Sequence, residues 1–600
     1  MKKNTVIQAL LAIAISFQLI FYHLSEEIRF PLFLLFILLI TILWLQKNSL
    51  LIPKTFAILY LFYLLANFYS GFYSPDKFQA TLQIIKLISI FCLVILGINI
   101  FQNKKLFLNT FFILLLITSF WALCGILEST GRVKPEKVLP LFEPFHWPSL
   151  AASFFLLVFP LTLVLFLNEK GRGVKKIILF TSLFFITVAW ILSQSYLTIL
   201  LLITIALLLF FFYVTKKQPK EVFLFFLLIG VVIPNLLSSF GGRQIPKEIS
   251  LFQDKIFFQD KDDVWRFSTK SIKENLWQGI GPGNFGRVYR QNIIKPWTWS
   301  DFAFNELLHT FVETGLLGFA AQLLIFLYLS FVCCKQVGSS LISKNLLVFA
   351  ISLSIIFFLF INLNNFSFRI FPITITFFTL VAGLLAQEKK VTLKPKLASF
   401  LILPLIFFAF LLFSDSNFLR MGQKSIVKKN YQKSEKILNW LSQRPTPFLN
   451  PRVFVWLSAW HLDNHESQKA IEYLKKAKII SPYNQEIDYQ IAAIIYRQEK
   501  IEDAKKILEE ELESNPFLPP KYYSSLAKLN LEMDDEPTAL YWFKKASDLF
   551  PILPTTSSSQ VKLSILQNNK YLSFLWEIYF YLYGLTHNKI YLEALTKLNY

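Results

Sequence analysis

Charged residues are scarce in this chain. Asp, Glu, Lys and Arg make up 16% of its 600 residues and 54% are hydrophobic, whereas ordinary soluble domains carry roughly 25% charged residues. The sequence before position 415 contains about thirteen mostly apolar stretches, each near the roughly 20 residues that a helix needs to cross a bilayer. This excludes an ordinary soluble protein and predicts an all-α membrane domain with spans at 5–23, 30–46, 53–72, 79–100, 106–127, 148–168, 177–194, 197–214, 222–238, 315–334, 346–361, 369–387 and 397–413. The first stretch is long and another follows at once, so we predict a retained helix and not a cleaved signal peptide.

Cysteine is also rare. The four cysteines are Cys92, Cys124, Cys333 and Cys334, and all of them lie within the apolar stretches or at their ends. None falls in a segment predicted to lie outside the cell membrane, where disulfides would form and persist. The cysteines therefore exclude a disulfide-stabilised scaffold.

The net charge of +21 is unevenly distributed between the loops. If the N-terminus is cytoplasmic and the spans alternate, the inner loops read "KNSLLIPK", "FQNKK", "EKGRGVKK", "TKKQPKE", "KQVGSSLISK" and "EKKVTLKPK", all rich in Lys and Arg. Outer loops such as "SEEIRF", "YSPDKF" and "NLNNFSF" are nearly balanced or neutral. This positive-inside pattern predicts a multi-pass membrane protein with a cytoplasmic N-terminus, and no nucleic-acid partner is needed to explain the charge.

The predicted topology places two large segments outside. One is a loop between the ninth and tenth spans, and the other is everything after the last span. We therefore predict membrane helices 1–9 in residues 1–238, a large outer loop in 239–314, membrane helices 10–13 in 315–414, tetratricopeptide-like repeats in 415–555 and a C-terminal helical cap in 556–600.

The repeats are recognised by small and apolar residues at fixed places. These are Ala470, Leu474, Ala477 and Pro482; Ala504, Leu508 and Pro516; and Ala539, Phe543, Ala546 and Pro551, with Leu457, Ile491 and Leu526 at an earlier place. The prolines are 34 and 35 residues apart, which is the length of a tetratricopeptide repeat. Such units stack into an α-solenoid whose concave surface binds proteins or peptides, so we expect a protein partner there and the chemistry elsewhere.

Two stretches of the outer loop are candidates for that chemistry. "DDVWRFSTKSIKENLWQGIGPGNFGRVYRQ" (262–291) contains a glycine-rich segment, and "AFNELLHTFVETGLLGF" (303–319) is rich in polar residues. "GIGPGNF" lacks the preceding strand and the Lys of a phosphate-binding loop, so we expect Gly281 and Gly283 to permit a tight turn that exposes backbone amides. Asn305, His309 and Glu313 are four residues apart and would share one helix face. A Glu beside a His can fix its tautomer and raise its basicity.

The order and spacing of these two stretches resemble the O-antigen ligase and O-antigen polymerase family, which includes protein O-oligosaccharyltransferases. The resemblance rests on "R…W.GIGPGNF" followed by "N..L…..ETGLLG", on about 60 residues of sequence, and on the topology of the membrane domain. It implies an enzyme of lipopolysaccharide or cell-envelope biosynthesis in the bacterial inner membrane, with the repeats in the periplasm. The implied donor is a glycan on polyprenyl (undecaprenyl) diphosphate. The implied acceptor is a hydroxyl on a second glycan, on lipid A core or on a protein, and no metal or cofactor is implied.

This reaction needs positive groups that hold the diphosphate. Arginine suits the task because its planar donors can bind phosphate oxygens in pairs. Arg266 matches the family's arginine ahead of the glycine-rich turn and is our first candidate, also for catalysis, followed by Arg287 and Arg290. Lys86 lies inside the fourth span, where charge is costly, and could also reach the diphosphate. The alternatives are solvated surface charges for the arginines and snorkelling to the outer face for Lys86.

The sequence departs from the family at the residue before the Asn of the second motif. Many members have a catalytic His there, and this chain has Phe304. We expect His309, with Glu313 and Asn305, to replace it; the alternative is that His309 only solvates a helix that enters the membrane. His146, in the loop before the sixth span, is a second candidate base. Tyr196 stands where many members have Arg, and Ser149 stands where they have Asn.

Three classes of function remain after this comparison. We predict a lipid-linked glycan transferase, either a ligase or a polymerase. The alternative is a degenerate relative that serves as a membrane-anchored scaffold through its repeats, which the missing His and Arg would favour. A transporter is disfavoured because the spans contain almost no acidic or His residues for ion coupling.

Overall fold

The computed structural model describes most of the chain. The described residues are 2–20, 24–46, 48–129, 148–169, 171, 173–192, 262–293, 300–343, 345–388, 390–484, 486–549 and 569–598. Among the predicted features, the spans at 197–214 and 222–238, as well as His146 and Tyr196, lie outside these residues.

Long apolar helices form the membrane domain, because a helix satisfies its own backbone hydrogen bonds where no water is available. Up to residue 192 they are α1 (Lys2–Ile20), α2 (Glu26–Leu45), α3 (Lys54–Tyr73), α4 (Lys77–Phe101), α5 (Lys104–Ser129), α6 (Pro148–Asn168) and α7 (Val174–Leu192). Two shorter, more polar helices follow, α8 (262–274) and α9 (Phe285–Arg290). Apolar helices then resume with α10 (Glu306–Ser343), α11 (Leu346–Ile361), α12 (Phe371–Leu385) and α13 (Pro395–Val427). A short 3₁₀ helix, Ser367–Arg369, precedes α12.

The predicted multi-pass membrane domain is confirmed, but the count of thirteen spans is not. Within the described ranges, eight helices are long and apolar enough to cross a membrane, namely α2 to α7, α10 and α13. Three shorter apolar helices lie in α1, α11 and α12. All eleven coincide with predicted spans, so the hydropathy pattern identified each of these elements.

A two-stranded sheet joins two loops that the charge pattern places on the same side. Strand β1 (Leu50–Ile52) pairs antiparallel with β2 (Val391–Leu393), with Leu51 opposite Thr392. Asn99, at the end of α4, binds the backbone of Leu51 through both amide atoms, at 2.8 and 2.9 Å. Two loops predicted to be cytoplasmic therefore meet the end of α4 at one end of the helices.

Segments predicted to lie outside meet at the opposite end. Glu27, at the start of α2, forms an ion pair of 3.3 Å with Arg452 of the repeats and accepts a hydrogen bond of 2.9 Å from Ser416 through its carbonyl. The loop before α4 contacts the glycine-rich stretch through Ser74 and Asn284, whose side chains are 2.7 Å apart. Both groups of contacts are those expected if the spans alternate as predicted.

The C-terminal part is the predicted helical solenoid. Its helices are α14 (Tyr431–Ser442), α15 (Arg452–Asp463), α16 (Ser467–Ile480), α17 (Glu486–Tyr496), α18 (Ile501–Ser514), α19 (Pro520–Glu532), α20 (Glu536–Leu549), α21 (Asn569–Thr586) and α22 (Lys589–Leu598), with a 3₁₀ turn at Thr446–Phe448. From α15 onward, consecutive helices pack in pairs. The repeated alanines Ala470, Ala477, Ala504, Ala539 and Ala546 are fully buried, because a small side chain there lets two helices approach closely.

The last membrane helix continues into the first repeat. Helix α13 runs from Pro395 to Val427 without a break at residue 414, where we had placed the end of the membrane domain. Ser434 of α14 then donates a hydrogen bond of 3.0 Å to the carbonyl of Gly422 on α13. The solenoid is thus built directly onto a membrane helix.

Candidate functional site

The glycine-rich turn and a kink in α10 fit into each other. Gly279, Gly281 and Gly283 have positive φ angles of 66°, 90° and 76°, and Gly315 interrupts α10 with φ 66° and ψ −166°. A Cβ on Gly279 would collide with the backbone of Glu313, and a Cβ on Gly315 would collide with the carbonyl of Trp277. These two positions therefore need glycine both for their backbone angles and for space.

Backbone and carboxylate groups of α10 hold this turn. The amides of Ile280 and Gly281 donate to the carbonyls of Val312 and Glu313, at 3.0 and 2.9 Å. Oε1 of Glu313 accepts hydrogen bonds from the amides of Gly283, at 2.9 Å, and Phe285, at 3.3 Å. The amides of the turn are thus engaged within the protein, whereas the sequence had led us to expect that they face the substrate.

The geometry fixes the tautomer of His309. Its Nδ1 accepts a hydrogen bond of 3.2 Å from the amide of Ala303, so the proton is on Nε2, which lies 3.1 Å from Oε1 of Glu313. The ring is 2% exposed and stacks on Phe285 with 4.7 Å between ring centres. The predicted pairing of His309 with Glu313 is present, but both ring nitrogens are occupied, which leaves neither for an acceptor hydroxyl.

Arg369, which we did not identify from the sequence, is the centre of the polar cluster. It ends the 3₁₀ helix before α12, and its side chain is 15% exposed. Its guanidinium donates to Oε1 of Glu306 at 2.9 Å and to Oε2 of Glu313 at 3.0 Å. A further bond of 3.0 Å reaches Oγ1 of Thr310. One arginine therefore bridges the two carboxylates of α10.

Glu306 is the carboxylate of the cluster that can accept a further hydrogen bond. It is 2% exposed, and its Oε1 also accepts a hydrogen bond of 3.2 Å from Gln322. Among the described residues its Oε2 has no hydrogen-bond partner, although the atom is buried. Native proteins rarely bury an oxygen without a partner, so this atom is suited to a ligand or a transferred proton.

A cavity of about 60 Å³ lies beside this cluster. Its polar lining includes Lys86, Glu306, Glu313, Gln322 and Arg369, and much of the remaining lining is aromatic or aliphatic. Lys86 is 5% exposed and donates to the carbonyl of Arg369 at 3.0 Å, so it is buried in the protein and does not snorkel. This volume holds a few water molecules, and two cations and two carboxylates surround it.

The remaining predicted residues lie apart from the cavity. Asn305 caps α10, accepting from the amide of Leu308 at 2.9 Å and donating to the carbonyl of Leu363 at 2.7 Å. Arg266 lies on the exposed face of α8, beside Lys270 and Lys273 in a shallow depression. Their roles in the reaction remain predictions.

The other two arginines have carboxylate partners within the protein. Arg287 pairs with Asp76, and Arg290 pairs with Asp301 at 2.7 Å. These pairings give both arginines a structural function in this state. Phe304 is 5% exposed, has φ 53° and packs edge-on against Phe366, at 5.5 Å between ring centres.

Fold and site together define a multi-pass helical membrane protein with a buried acid–base cluster near one end of its helices and a helical-repeat domain attached. Residues 181–323 match the family model described as O-antigen ligase. This match confirms the predicted resemblance, covers both motifs of the predicted outer loop and associates the chain with glycan transfer at a membrane. No curated protein sequence matches the chain.

Solved structures that resemble part of the chain include those of MamA. A crystal structure of MamA is 15% identical, covers 30% of this chain and 92% of its own, and has a TM-score of 0.22. MamA 41-end from Desulfovibrio magneticus RS-1 is also 15% identical and has the same TM-score of 0.22. The match covers 31% of this chain and 93% of that chain. Scores this low carry no argument, and the repeats are defined by their own helix pairs and buried alanines.

Proposed function

We propose that this protein transfers a glycan from a polyprenyl diphosphate to a hydroxyl of a second glycan, of lipid A core or of a protein, at the periplasmic face of the bacterial inner membrane. The observation that carries the proposal is Oε2 of Glu306, which has no hydrogen-bond partner among the described residues and lies in a cavity that Arg369 and Lys86 also line. A carboxylate next to two cations offers both groups that the reaction requires, a proton acceptor and a counter-charge for diphosphate.

Glu306 acts as the general base in this proposal, in the place that we had assigned to His309. The acceptor oxygen attacks the anomeric carbon while its proton moves to Oε2 of Glu306. The bond from the anomeric carbon to the diphosphate breaks, and its electron pair leaves with the diphosphate oxygen. Positioned general bases contribute roughly 10²- to 10⁴-fold to such reactions.

Lys86 and Arg369 stabilise the negative charge that develops on the leaving group. Fixed cations in a water-poor site interact with such charge more strongly than they do in water. Both cations are held in place, Lys86 through the carbonyl of Arg369 and Arg369 through the two carboxylates. Arg266 remains a candidate for the first capture of the donor, at the surface.

The cavity is smaller than a monosaccharide in this state, so the lining helices must separate when substrate enters. The sheet between β1 and β2 ties the helices together at the end predicted to be cytoplasmic. Opening at the other end leaves that sheet intact and leads to the compartment where the repeats lie. This arrangement supports the proposed access from the periplasmic side.

The proposal is tested with purified Glu306→Gln protein and a polyprenyl-diphosphate glycan donor. We expect transfer to fall at least a hundredfold, because the amide keeps the shape of the side chain but accepts no proton. Glu388→Gln, at the other end of the helices, should transfer at the wild-type rate. Full activity of Glu306→Gln would reject this base. An unchanged surface glycan in a strain that lacks the protein would favour the scaffold function instead.

A further inference from the structure

The turns between consecutive repeats bind the short helix that follows the glycine-rich turn. Ser481 precedes Pro482 and Asn515 precedes Pro516, so the two residues occupy equivalent positions of neighbouring repeats. Both are almost completely buried, at 2% and 3% exposed. Both contact α9, which lies about 200 residues earlier in the chain.

The first contact involves Ser481, Asp76 and Arg287. Ser481 donates a hydrogen bond of 2.8 Å to Oδ2 of Asp76 and lies 3.3 Å from Nη1 of Arg287. Arg287 and Asp76 form an ion pair. Oδ1 of the same Asp76 accepts from the amide of Gln79 at 2.9 Å and thereby caps α4, the helix that carries Lys86. One carboxylate thus joins the repeats, α9 and α4.

The second contact is a single hydrogen bond from Asn515. Its Nδ2 donates to the carbonyl of Arg290, the last residue of α9, at 2.7 Å. Its Oδ1 accepts from the amide of Phe517 at 3.1 Å, which fixes the orientation of the side-chain amide. Carbonyls in the last turn of a helix have no partner within that helix, and Asn515 supplies a donor to the carbonyl of Arg290.

Helix α9 needs such support because it has only six residues. Isolated helices of that length are not stable in water. Its first amide, that of Phe285, is one of the two that hold the carboxylate of Glu313. A displacement of α9 would therefore remove the bond from Phe285 and loosen Glu313, one of the two carboxylates that orient Arg369.

We propose that Ser481 and Asn515 are positioning residues for the transfer site, and that the repeat stack is a part of that site and not only a tethered binding module. This rests on the proposed function for the identity of the reaction. The clamp, by which we mean the contacts of Ser481 and Asn515 with α9, does not depend on the identity of the reaction. It follows that the repeats influence the rate of transfer even with an acceptor that they do not bind.

Paired variants separate loss of a hydrogen bond from disturbed packing. Ser481→Thr keeps the hydroxyl. Ser481→Val has the shape of the threonine side chain but lacks the hydroxyl. Asn515→Asp keeps the acceptor, loses the donor and adds a negative charge. Asn464→Asp makes the same change in an exposed turn of the first repeat, where the amide donates to the carbonyl of Trp460, and serves as the matched control.

Hydrogen exchange at the amides of Gly283 and Phe285 is measured in the full-length protein, together with transfer by the same samples. We expect Ser481→Val and Asn515→Asp to speed exchange about fivefold, the effect of one ordinary hydrogen bond, and to slow transfer by a similar factor. Ser481→Thr and Asn464→Asp should behave as the wild type does.

Two results would overturn the inference: exchange at these amides that does not change, or faster exchange while the variants transfer at the wild-type rate. If the wild type transfers no glycan but exchange still rises in the two variants, the clamp stands and the proposed reaction fails. The two failures are therefore distinguishable.

Discussion

Nε2 of His309 lies 3.1 Å from Oε1 of Glu313, one helical turn further along α10, and both side chains are almost fully buried. Because the other ring nitrogen accepts from the amide of Ala303, the imidazole orients the carboxylate and has no free nitrogen for a substrate.

We therefore expect His309→Gln to retain much of the activity, since the glutamine amide can donate to Glu313 in place of Nε2. His309→Ala should lose roughly tenfold or more, because it leaves a buried carboxylate with one donor fewer. Steady-state transfer rates of the two variants, compared over a range of pH, distinguish a His309 that orients Glu313 from a His309 that acts as the general base. Equal and complete loss in both would return His309 to the position of general base.

Arg369 should be sensitive even to conservative substitution. It bridges Glu306 and Glu313 with two different nitrogens, a geometry that the single ammonium of lysine does not reproduce. We expect Arg369→Lys to lower transfer more than tenfold with little change in the apparent affinity for donor. A rate within twofold of the wild type would show that the bridge is dispensable.

Arg266 should show the opposite kinetic pattern. It lies on the exposed face of α8 and does not line the cavity, so a contact with the donor there would be made before the reaction and during it alike. Arg266→Ala is then expected to raise KM for the lipid-linked donor and to leave kcat almost unchanged. Lys273→Ala on the same exposed face is the control, and unaltered kinetics in Arg266→Ala would exclude diphosphate capture by this residue.

Gly315 is expected to be intolerant of alanine. Its φ of 66° with ψ of −166° is a combination that only glycine adopts readily, and the added methyl would also collide with Trp277. Together these effects should cost about 2–5 kcal/mol. Gly338→Ala in the same helix is the matched control, since its methyl would meet nothing within 4 Å. Thermal unfolding in detergent measures the difference, and equal melting temperatures would contradict the interlocked turn and kink.

The second repeat carries a pH-dependent element. Burial, together with the nearby charge of Asp488, raises the pKa of Glu511 to about 7, and Lys478 lies 3.7 Å away. In the unfolded chain this pKa is about 4.3, so the folded state favours the protonated form. The contribution of Glu511 to stability is greatest below about pH 4 and is lost as the pH rises through about 7.

Glu511→Gln should remove this pH dependence and make the repeats more stable at pH 8. The other two repeats have Ala477 and Ala546 at the equivalent place, so a carboxylate is not needed for the packing. Melting of the full-length protein is followed between pH 5 and pH 8, and Glu510→Gln on the exposed side of α18 is the control. An unchanged slope with pH in Glu511→Gln would contradict the raised pKa.

The fold was largely predictable from the sequence because its two patterns are periodic. Apolar stretches of bilayer length identified the membrane helices, and Ala470, Ala504 and Ala539 located the repeats through their spacing. Of the buried polar cluster, only the contacts within helix α10 were predictable. His309 and Glu313 are four residues apart, so their contact follows from helical geometry. Arg369 comes 56 residues after Glu313, and only the packing of α10 against the chain before α12 brings the two together.

Glu306 illustrates a different limit. It stands in the same polar stretch as His309, and a charged residue at the mouth of an apolar span is a visible signal. Which of the two keeps an atom without a partner among the described residues depends on the amide of Ala303 and on Arg369, and these partners are set by backbone angles such as the positive φ of Phe304. A resemblance that pointed to histidine could not reveal that both ring nitrogens are engaged.

The uninterrupted helix α13 has a consequence for any acceptor that the repeats bind. Its 33 residues span about 50 Å at 1.5 Å per residue, about 20 Å more than the hydrocarbon core of a bilayer. The solenoid is thus joined to the membrane domain by a continuous helix and not by a flexible linker. The distance between an acceptor bound on the repeats and the cavity is then nearly fixed. An acceptor too short to cover that distance gains no effective concentration from being bound.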